Sequence, residues 1–401
     1  MFYQCGFAAI ILASSDGALD PPMIFSNARL VLSDGIHDGL EVVVAEGKIS
    51  AIRQRSNSGA IDLEGNYLAP GFIDLHVHGA LGRDTMEASP EAFQTVCDHH
   101  ATGGTTALLL TTATAPIPDI LDVLRAVRTC RDKIKQIAGV HVEGPFISRK
   151  RAGAQRSEFI RDPEPQVVQQ LLEHAEVIRR VTLAPELPGA LGAIDRLRAQ
   201  GIAVSGGHSD AWDEEARDAF EHGMRHVTHT FNCMSSMHRR NGERVAGLLE
   251  FALSEPEIMC ELIADGPHVS NTLMKMLYRA KGAKGICLVT DATAGAGLPE
   301  GALFTLAGAD CLVREGACWL ADRSALAGSA SRMIDLVRVL VNDVKIPLHE
   351  AIAMASANPA RALGAKGKGR LEAGADADLV VISPDLEVRQ TFVAGERIFS
   401  M

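Results

Sequence analysis

The feature that most restricts this chain is an eightfold alternation of apolar runs and amphipathic segments between Pro70 and Asp291. The apolar runs predict strands over Phe72–His78, Thr105–Thr112, Ile137–Gly144, Arg180–Glu186, Ile202–His208, His226–Asn232, Met259–Asp265 and Gly285–Asp291. The stretches between them predict helices over about 90–102, 118–132, 163–177, 189–200, 212–222, 243–254 and 271–281, with Ser89-Pro90-Glu91 and Ser270 as start signals. Near-continuous apolar strands are the pattern of a parallel sheet covered on both faces. Eight such repeats predict a (β/α)8 barrel, assigned to residues 70–365.

The flanks read differently. Ile24–Leu32, Glu41–Ala45 and Ile49–Ile52 are short β patterns with turns at Asp34-Gly35, Asp38-Gly39 and Glu46-Gly47. The β pattern returns at Gly374–Ile382 and Val388–Val393. Residues 23–69 and 366–401 are therefore expected to form one small β-sandwich domain from both chain ends, with the barrel inserted between them. Two further helices are predicted over 329–343 and 347–363, the second kinked at Asn358-Pro359. Residues 1–22 read as a disordered extension, and Met23 is a candidate start. The extension holds an apolar run but no Lys or Arg, so the charged region of a signal peptide is missing. The glycines of Gly364–Gly369 have no strand–loop–helix context and read as a linker.

Composition narrows the function classes. A 47% apolar content allows a large core, and a net charge of −11 argues against a general nucleic-acid binder. No stretch is long and apolar enough to span a membrane. The eight cysteines make no Cys-x-x-Cys pair and several lie in apolar runs, which fits reduced thiols in a cytoplasmic protein. The basic clusters Arg149-Lys150-Arg151 and Arg239-Arg240 are either solvated loops or sites for a small anion.

The chemistry concentrates at the C-terminal ends of the predicted strands, where barrel enzymes carry their catalytic groups. These ends hold His76-x-His78, Glu143, His208, His229, Asp265 with His268, and Asp291. Each alone has an ordinary structural explanation. Together they put several imidazoles and carboxylates around one mouth, and carboxylates at close quarters call for a cation. Nitrogen and oxygen ligands suit a divalent metal, zinc or iron first. Glu143, His208 and His229 offer an open site, and His76 and His78 a second one with Glu143 bridging. Asp291 would take a proton from water and pass it to a leaving group. His141 and His226 lie one layer deeper and read as supporting groups. His99 and His100 read as helix-end or surface groups, and His37, His174, His222 and His349 as surface.

The stretches Pro70–Gly79, His141–Ser148, Gly207-His208-Ser209, His229–Met234, Ala264–Val269, Leu288–Ala292, Leu326–Ser329 and Asn358–Arg361 carry a family resemblance. Over about residues 23–398 the chain resembles the amidohydrolase superfamily, and within it the N-acetylglucosamine-6-phosphate deacetylase family. The resemblance implies Glu143, His208 and His229 at the constant metal site, His76 and His78 at an optional second one, and Asp291 as general acid and base. It implies sugar-phosphate contacts from Asn232 and the backbone of Cys233, His268 near the substrate carbonyl and sugar, and Arg240 for the phosphate with Arg239 close behind. It also implies a homodimer acting on a small amino-sugar phosphate. Two departures touch recognition. Gly153-Ala154-Gln155 stands where the family has Gly-Ala-His, which puts an amide in place of a sugar-contacting imidazole, and the loop at Met237–Glu243 differs. These leave open N-acetylgalactosamine 6-phosphate or another amino sugar as the substrate. A cyclic-amide hydrolase and an inactive scaffold are remoter alternatives.

Overall fold

The computed structural model describes residues 21–56 and 59–401. The expectation for residues 1–22 therefore falls almost wholly outside the described residues.

Eight parallel strands stand side by side in chain order: Phe72–Val77, Thr105–Thr112, Ile137–Glu143, Ile178–Leu183, Ala203–Gly206, His226–Val227, Met259–Leu262 and Ile286–Leu288. The ring closes where Val77 bridges Ala292, with His78 N–H donating to the Ala292 carbonyl at 2.8 Å. The helices Pro90–Ala101, Ile117–Cys130, Pro165–Leu172, Ala190–Ala199, Asp213–Glu221, Leu248–Ser254 and Asn271–Lys281 follow successive strands. Ser89 caps the first of these by accepting from Ala92 N–H at 3.2 Å, while Ser270 holds the cap position without such a bond.

The barrel interior is layered. Ile73, Leu75, Ala107, Leu109, Ile263, Cys287 and Val289 pack with Ala360 as an apolar floor. Above it lies a polar layer, in which Arg180 pairs with Glu261 at 2.5 Å and donates to Ser205 Oγ at 2.8 Å. His141 Nε2 meets Thr182 Oγ1 at 2.7 Å in the same layer, the supporting place expected for it.

The two chain ends form two sheets. One has the order Lys48–Gln54, Leu40–Ala45, Met23–Ser26, Ile61–Asp62; the other Glu396–Ser400, Val388–Val393, Leu379–Ile382, Tyr67–Pro70, Arg29–Leu32, Gly35–His37. Phe25, Val42, Val44 and Ile49 of the first pack against Leu30, Leu68, Leu379, Val381 and Phe392 of the second. Phe25 and Phe392 meet edge-on at 5.1 Å, an arrangement worth about 0.5–1.5 kcal/mol beyond buried area. Val380, Ile382 and Val388 face the other way, into the barrel's outer core, which fastens the sandwich to the barrel.

Several elements depart from expectation. The strand expected over Ile24–Leu32 breaks at Asn27, whose left-handed φ of 55° carries the chain from one sheet to the other. The sixth barrel strand stops at Val227, because the backbone turns left-handed at His229 (φ 30°) and Phe231 (φ 81°). Part of the helix expected over 243–254 is a hairpin, His238–Arg240 with Glu243–Val245. The helix expected over 347–363 breaks at Ser356, ahead of the proline, and Asn358 Nδ2 then donates to the Ala283 and Ile286 carbonyls. No element is expected from sequence between Asp291 and Ser329. A four-stranded antiparallel sheet lies there, Leu303–Leu306, Ala309–Arg314, Ala317–Leu320 and Leu326–Ser329, with a core of Phe304, Leu306, Cys311, Val313, Cys318 and Ala327.

Candidate metal centre and active site

His76 and His78 reach the barrel mouth through an irregularity in the first strand. Ile73 and Leu75 face the interior floor, yet His76 and His78, of opposite parity, also face inward. Between Leu108 and Leu110 of the second strand the pairing moves from Asp74 to Val77, which inserts one extra residue in the first strand. Such a bulge re-aims the side chains beyond it. Left-handed backbone delivers the other groups, with φ of 45° at His208, 30° at His229, 49° at Cys233 and 48° at Asp291. Each such non-glycine residue costs of order 1–3 kcal/mol, and backbone strain of this kind clusters at functional sites.

Glu143 is the hub. Its Oε1 lies 3.3 Å from His208 Nε2, 3.2 Å from His229 Nε2 and 3.3 Å from His76 Nε2. Its Oε2 lies 3.2 Å from His78 Nε2. Asp291 Oδ1 stands 3.4 Å from both His76 Nε2 and His78 Nε2. The four histidines and Glu143 are buried, and the Asp291 side chain is 13% exposed.

The hydrogen-bond pattern calls for a cation. His208 Nδ1 faces the Arg151 carbonyl at 2.8 Å, and His229 Nδ1 faces the Asn232 carbonyl at 3.2 Å. A carbonyl only accepts, so each ring carries a proton on Nδ1, and in the neutral rings both Nε2 atoms present lone pairs. The two Nε2 atoms are 3.0 Å apart and aim at the same carboxylate oxygen. In that form three electron-pair donors face one another, an arrangement that calls for a proton or a metal cation between them. Two groups have ligand atoms close enough to share an ion: Glu143 with His208 and His229, and Glu143 with His76 and His78. Their nitrogen and oxygen donors fit a divalent metal with an open position.

The carboxylates and imidazoles also act on one another's charge. Burial opposes charge on His78, but Asp291 and Glu143 outweigh it and lift the pKa to about 9. Burial also opposes ionisation of Asp291, yet His76 and His78 pull its pKa down to about 2. Asp291 is therefore held as an ionised carboxylate.

A cavity of about 210 Å³ opens onto this centre, lined by Glu143, His208, His229 and Asp291 together with Gln155, Asn232, Cys233 and His268. His268 is oriented by Asp265, with Nδ1 on Oδ2 at 2.6 Å. Leu306, Ala325 and Leu326 form the far wall. That wall belongs to the sheet and loop between residues 303 and 329, a stretch with no element assigned from sequence. Its period-two alternation, broken by Ala307-Gly308 and Glu315-Gly316 turns, is the signal that identifies it.

The model of the Amidohydrolase family matches residues 67–398. The chain belongs to the amidohydrolase family. It is 37% identical over 384 residues to the N-acetylglucosamine-6-phosphate deacetylase of Lysinibacillus sphaericus, covering 93% of this chain and 97% of that protein. It is 34% identical to the N-acetylgalactosamine-6-phosphate deacetylase of Escherichia coli O157:H7, covering 92% and 97%. A solved structure of a mutant N-acetyl-D-glucosamine-6-phosphate deacetylase from Mycobacterium smegmatis, in complex with N-acetyl-D-glucosamine-6-phosphate, superposes with a TM-score of 0.89 at 30% identity, covering 94% of this chain and 100% of that one.

The family member thus has its expected groups at one mouth, with one exception. Arg240 lies on the hairpin outside the cavity, its guanidinium 4.5 Å over the Trp212 ring and ion-paired with Glu214. Arg239 donates to the Gly242 carbonyl at 2.9 Å. No Lys or Arg lines the cavity among the described residues. Lys150 and Arg151 are held by Asp210 at 3.0 and 2.8 Å, so that basic cluster braces a loop. Gln155 is closer to the metal centre than a sugar-contacting role requires, since its Nε2 donates to Glu143 Oε2 at 2.7 Å.

Two histidines differ from the sequence reading, and one buried ion pair escapes it. His100 is buried and burial lowers its pKa to about 3, so it is neither a surface group nor a helix-end charge. His174 is buried rather than exposed. The Arg180–Glu261 pair was concealed by its apolar strand neighbours, although a charge in mid-strand is its signature. The described cysteines are all free, and all but Cys233 are buried; Cys5 lies outside the described residues. No described helix is long and apolar enough to cross a membrane.

Proposed function

We propose that the protein is a metal-dependent deacetylase that converts N-acetyl-D-glucosamine 6-phosphate to D-glucosamine 6-phosphate and acetate in amino-sugar catabolism. The observation that carries this reading is the convergence of Glu143, His208 and His229 on one point beside Asp291, in a chain whose relatives act on this class of sugar. A divalent metal, zinc or iron, supplies when bound the charge that polarises an amide carbonyl and acidifies water. Glu143, His208 and His229 would hold it, and His76 and His78 a second one.

The chain's own groups account for the proton transfers. Asp291, ionised at neutral pH, takes the proton of the attacking water as oxygen adds to the acetyl carbon. It returns that proton to the amide nitrogen as the C–N bond breaks, so acetate and the amine leave together in balance. His268, with Nδ1 held by Asp265, has Nε2 left for a substrate oxygen. Asn232 and Cys233 line the same cavity, and we assign the sugar phosphate to Asn232 and the Cys233 backbone.

A phosphate dianion needs a cation, and among the described residues of one chain no Lys or Arg lines the cavity. The exposed hairpin carries Arg239 and Arg240, and we assign the phosphate contact to this hairpin in a cytoplasmic homodimer, where it reaches the site of a second copy. N-acetylgalactosamine 6-phosphate is the second reading, favoured by Gln155 and by the relative named N-acetylgalactosamine-6-phosphate deacetylase. Comparing kcat/KM for acetate release from the two epimers, each with and without phosphate, decides between them. A metal-loaded protein inactive on all four would rule out both.

A further inference from the structure

Gln155 stands where it controls one of the two oxygens of Glu143. Its amide oxygen accepts from Thr114 N–H at 2.7 Å, and its amide nitrogen donates to Glu143 Oε2 at 2.7 Å. The first contact fixes the second, because a backbone N–H needs the oxygen and leaves the NH2 group for the carboxylate. The amide is also held in place by its turn. Gln155 N–H donates to the Ala152 carbonyl at 3.0 Å, and Gly153, with φ of 60°, packs so closely that a Cβ would come 2.6 Å from Cys233 Sγ.

The two oxygens of Glu143 serve different neighbours. Oε1 faces His208, His229 and His76, and Oε2 faces His78. A metal held by Glu143, His208 and His229 needs only Oε1. A metal held by both His76 and His78 also calls on Oε2 at the His78 side, where Gln155 already donates. The NH2 group is a donor without a usable lone pair, so it cannot become a ligand there, and its hydrogen bond to an ionised carboxylate is of the strong, charge-assisted kind.

We propose that Gln155 sets the metal stoichiometry of this chain: it keeps Glu143–His208–His229 as the tight site and weakens the His76–His78 site. This inference rests on the metal reading of the centre. It makes Gln155 a positioning residue that acts through Glu143, and it assigns the departure at this position to metal occupancy as well as to sugar recognition.

The test is zinc binding by equilibrium dialysis with elemental analysis, on the full chain and on Gln155→Leu and Gln155→Ala. Leu removes the donor and adds no ligand; Ala does the same with less volume, should the Leu variant fold poorly. The wild type is expected to hold one equivalent at least tenfold more tightly than a second. In either folded variant the second equivalent should tighten at least tenfold, and adding His78→Ala should remove the gain while leaving the first equivalent in place. Two equally tight equivalents in the wild type, an unchanged second equivalent in both variants, or a gain that survives His78→Ala would each overturn the inference and leave the metal reading intact. A wild type that binds no zinc would overturn the metal reading itself.

Discussion

Asp291 is joined to His76 twice, by its backbone N–H to the His76 carbonyl at 2.9 Å and by Oδ1 lying 3.4 Å from His76 Nε2. The backbone bond belongs to the seam that closes the barrel. The same contact that completes the sheet therefore sets the distance between the Asp291 carboxylate and the histidine pair. With Asp291 in its proposed role, activity would be tied to closure of the fold, and disturbances at the seam should register in the chemistry.

The seam contains a buried acid that makes this testable by pH. Asp74 Oδ1 accepts from His76 N–H and Thr290 N–H, each at 3.2 Å, and Oδ2 meets Thr290 Oγ1 at 2.6 Å. Burial outweighs these bonds and lifts its pKa to about 7. The folded state then keeps a proton that the unfolded state loses above the ordinary value of 3.8. This group's contribution to stability falls as pH rises from about 4 to about 7 and stays lowered above that. An amide in its place can accept from both N–H groups and donate to Thr290 Oγ1. Asp74→Asn is therefore expected to gain thermal stability relative to the wild type across that interval, read as the difference in Tm between pH 4 and pH 8. A constant difference would contradict the account.

Beneath the ligands, Arg180 and Glu261 form a pair with about 2% of either side chain exposed. Glu261 Oε2 also accepts from His229 N–H at 3.1 Å. Glu261→Gln strands the arginine charge and should cost about 3–5 kcal/mol of stability in urea unfolding. It should also weaken metal binding by about 10–100-fold, through the loss of a group that orients a ligand-bearing turn. A change below about 1 kcal/mol with metal affinity intact would argue against an organising role for the polar layer.

Much of this was legible in the sequence. Apolar runs ending in His, Glu or Asp located the barrel, its mouth and the groups that could hold a metal, because strand period and ligand chemistry leave direct marks. The failures have physical causes. His229 continues a β pattern in sequence, yet its backbone must turn left-handed to aim the ring. The bulge beneath His76 comes from strand pairing, which no local pattern records. The sheet that walls the cavity did carry an alternating pattern, at Leu303–Leu306 and beyond, with turn signals between its strands. Arg240 could be named but not placed, since an exposed hairpin is positioned by what it meets.

For the hairpin, the expectation is a split in kinetic constants. Arg240→Ala should raise KM for the phosphorylated sugar at least tenfold and leave KM for the unphosphorylated sugar unchanged, since a charge-assisted phosphate contact is worth about 1.5–3 kcal/mol. Sedimentation should report a dimer for both proteins. Equal KM changes for the two sugars would remove Arg240 from phosphate recognition.

Bound metal and acetate release, measured together for the wild type and Asp291→Asn with N-acetyl-D-glucosamine 6-phosphate, bear on the whole mechanism at once. The expected result is metal in both proteins, acetate from the wild type, and a loss of about 100-fold or more in kcat for the variant. A wild type that carries no metal, or an Asp291→Asn protein as active as the wild type, would contradict the mechanism.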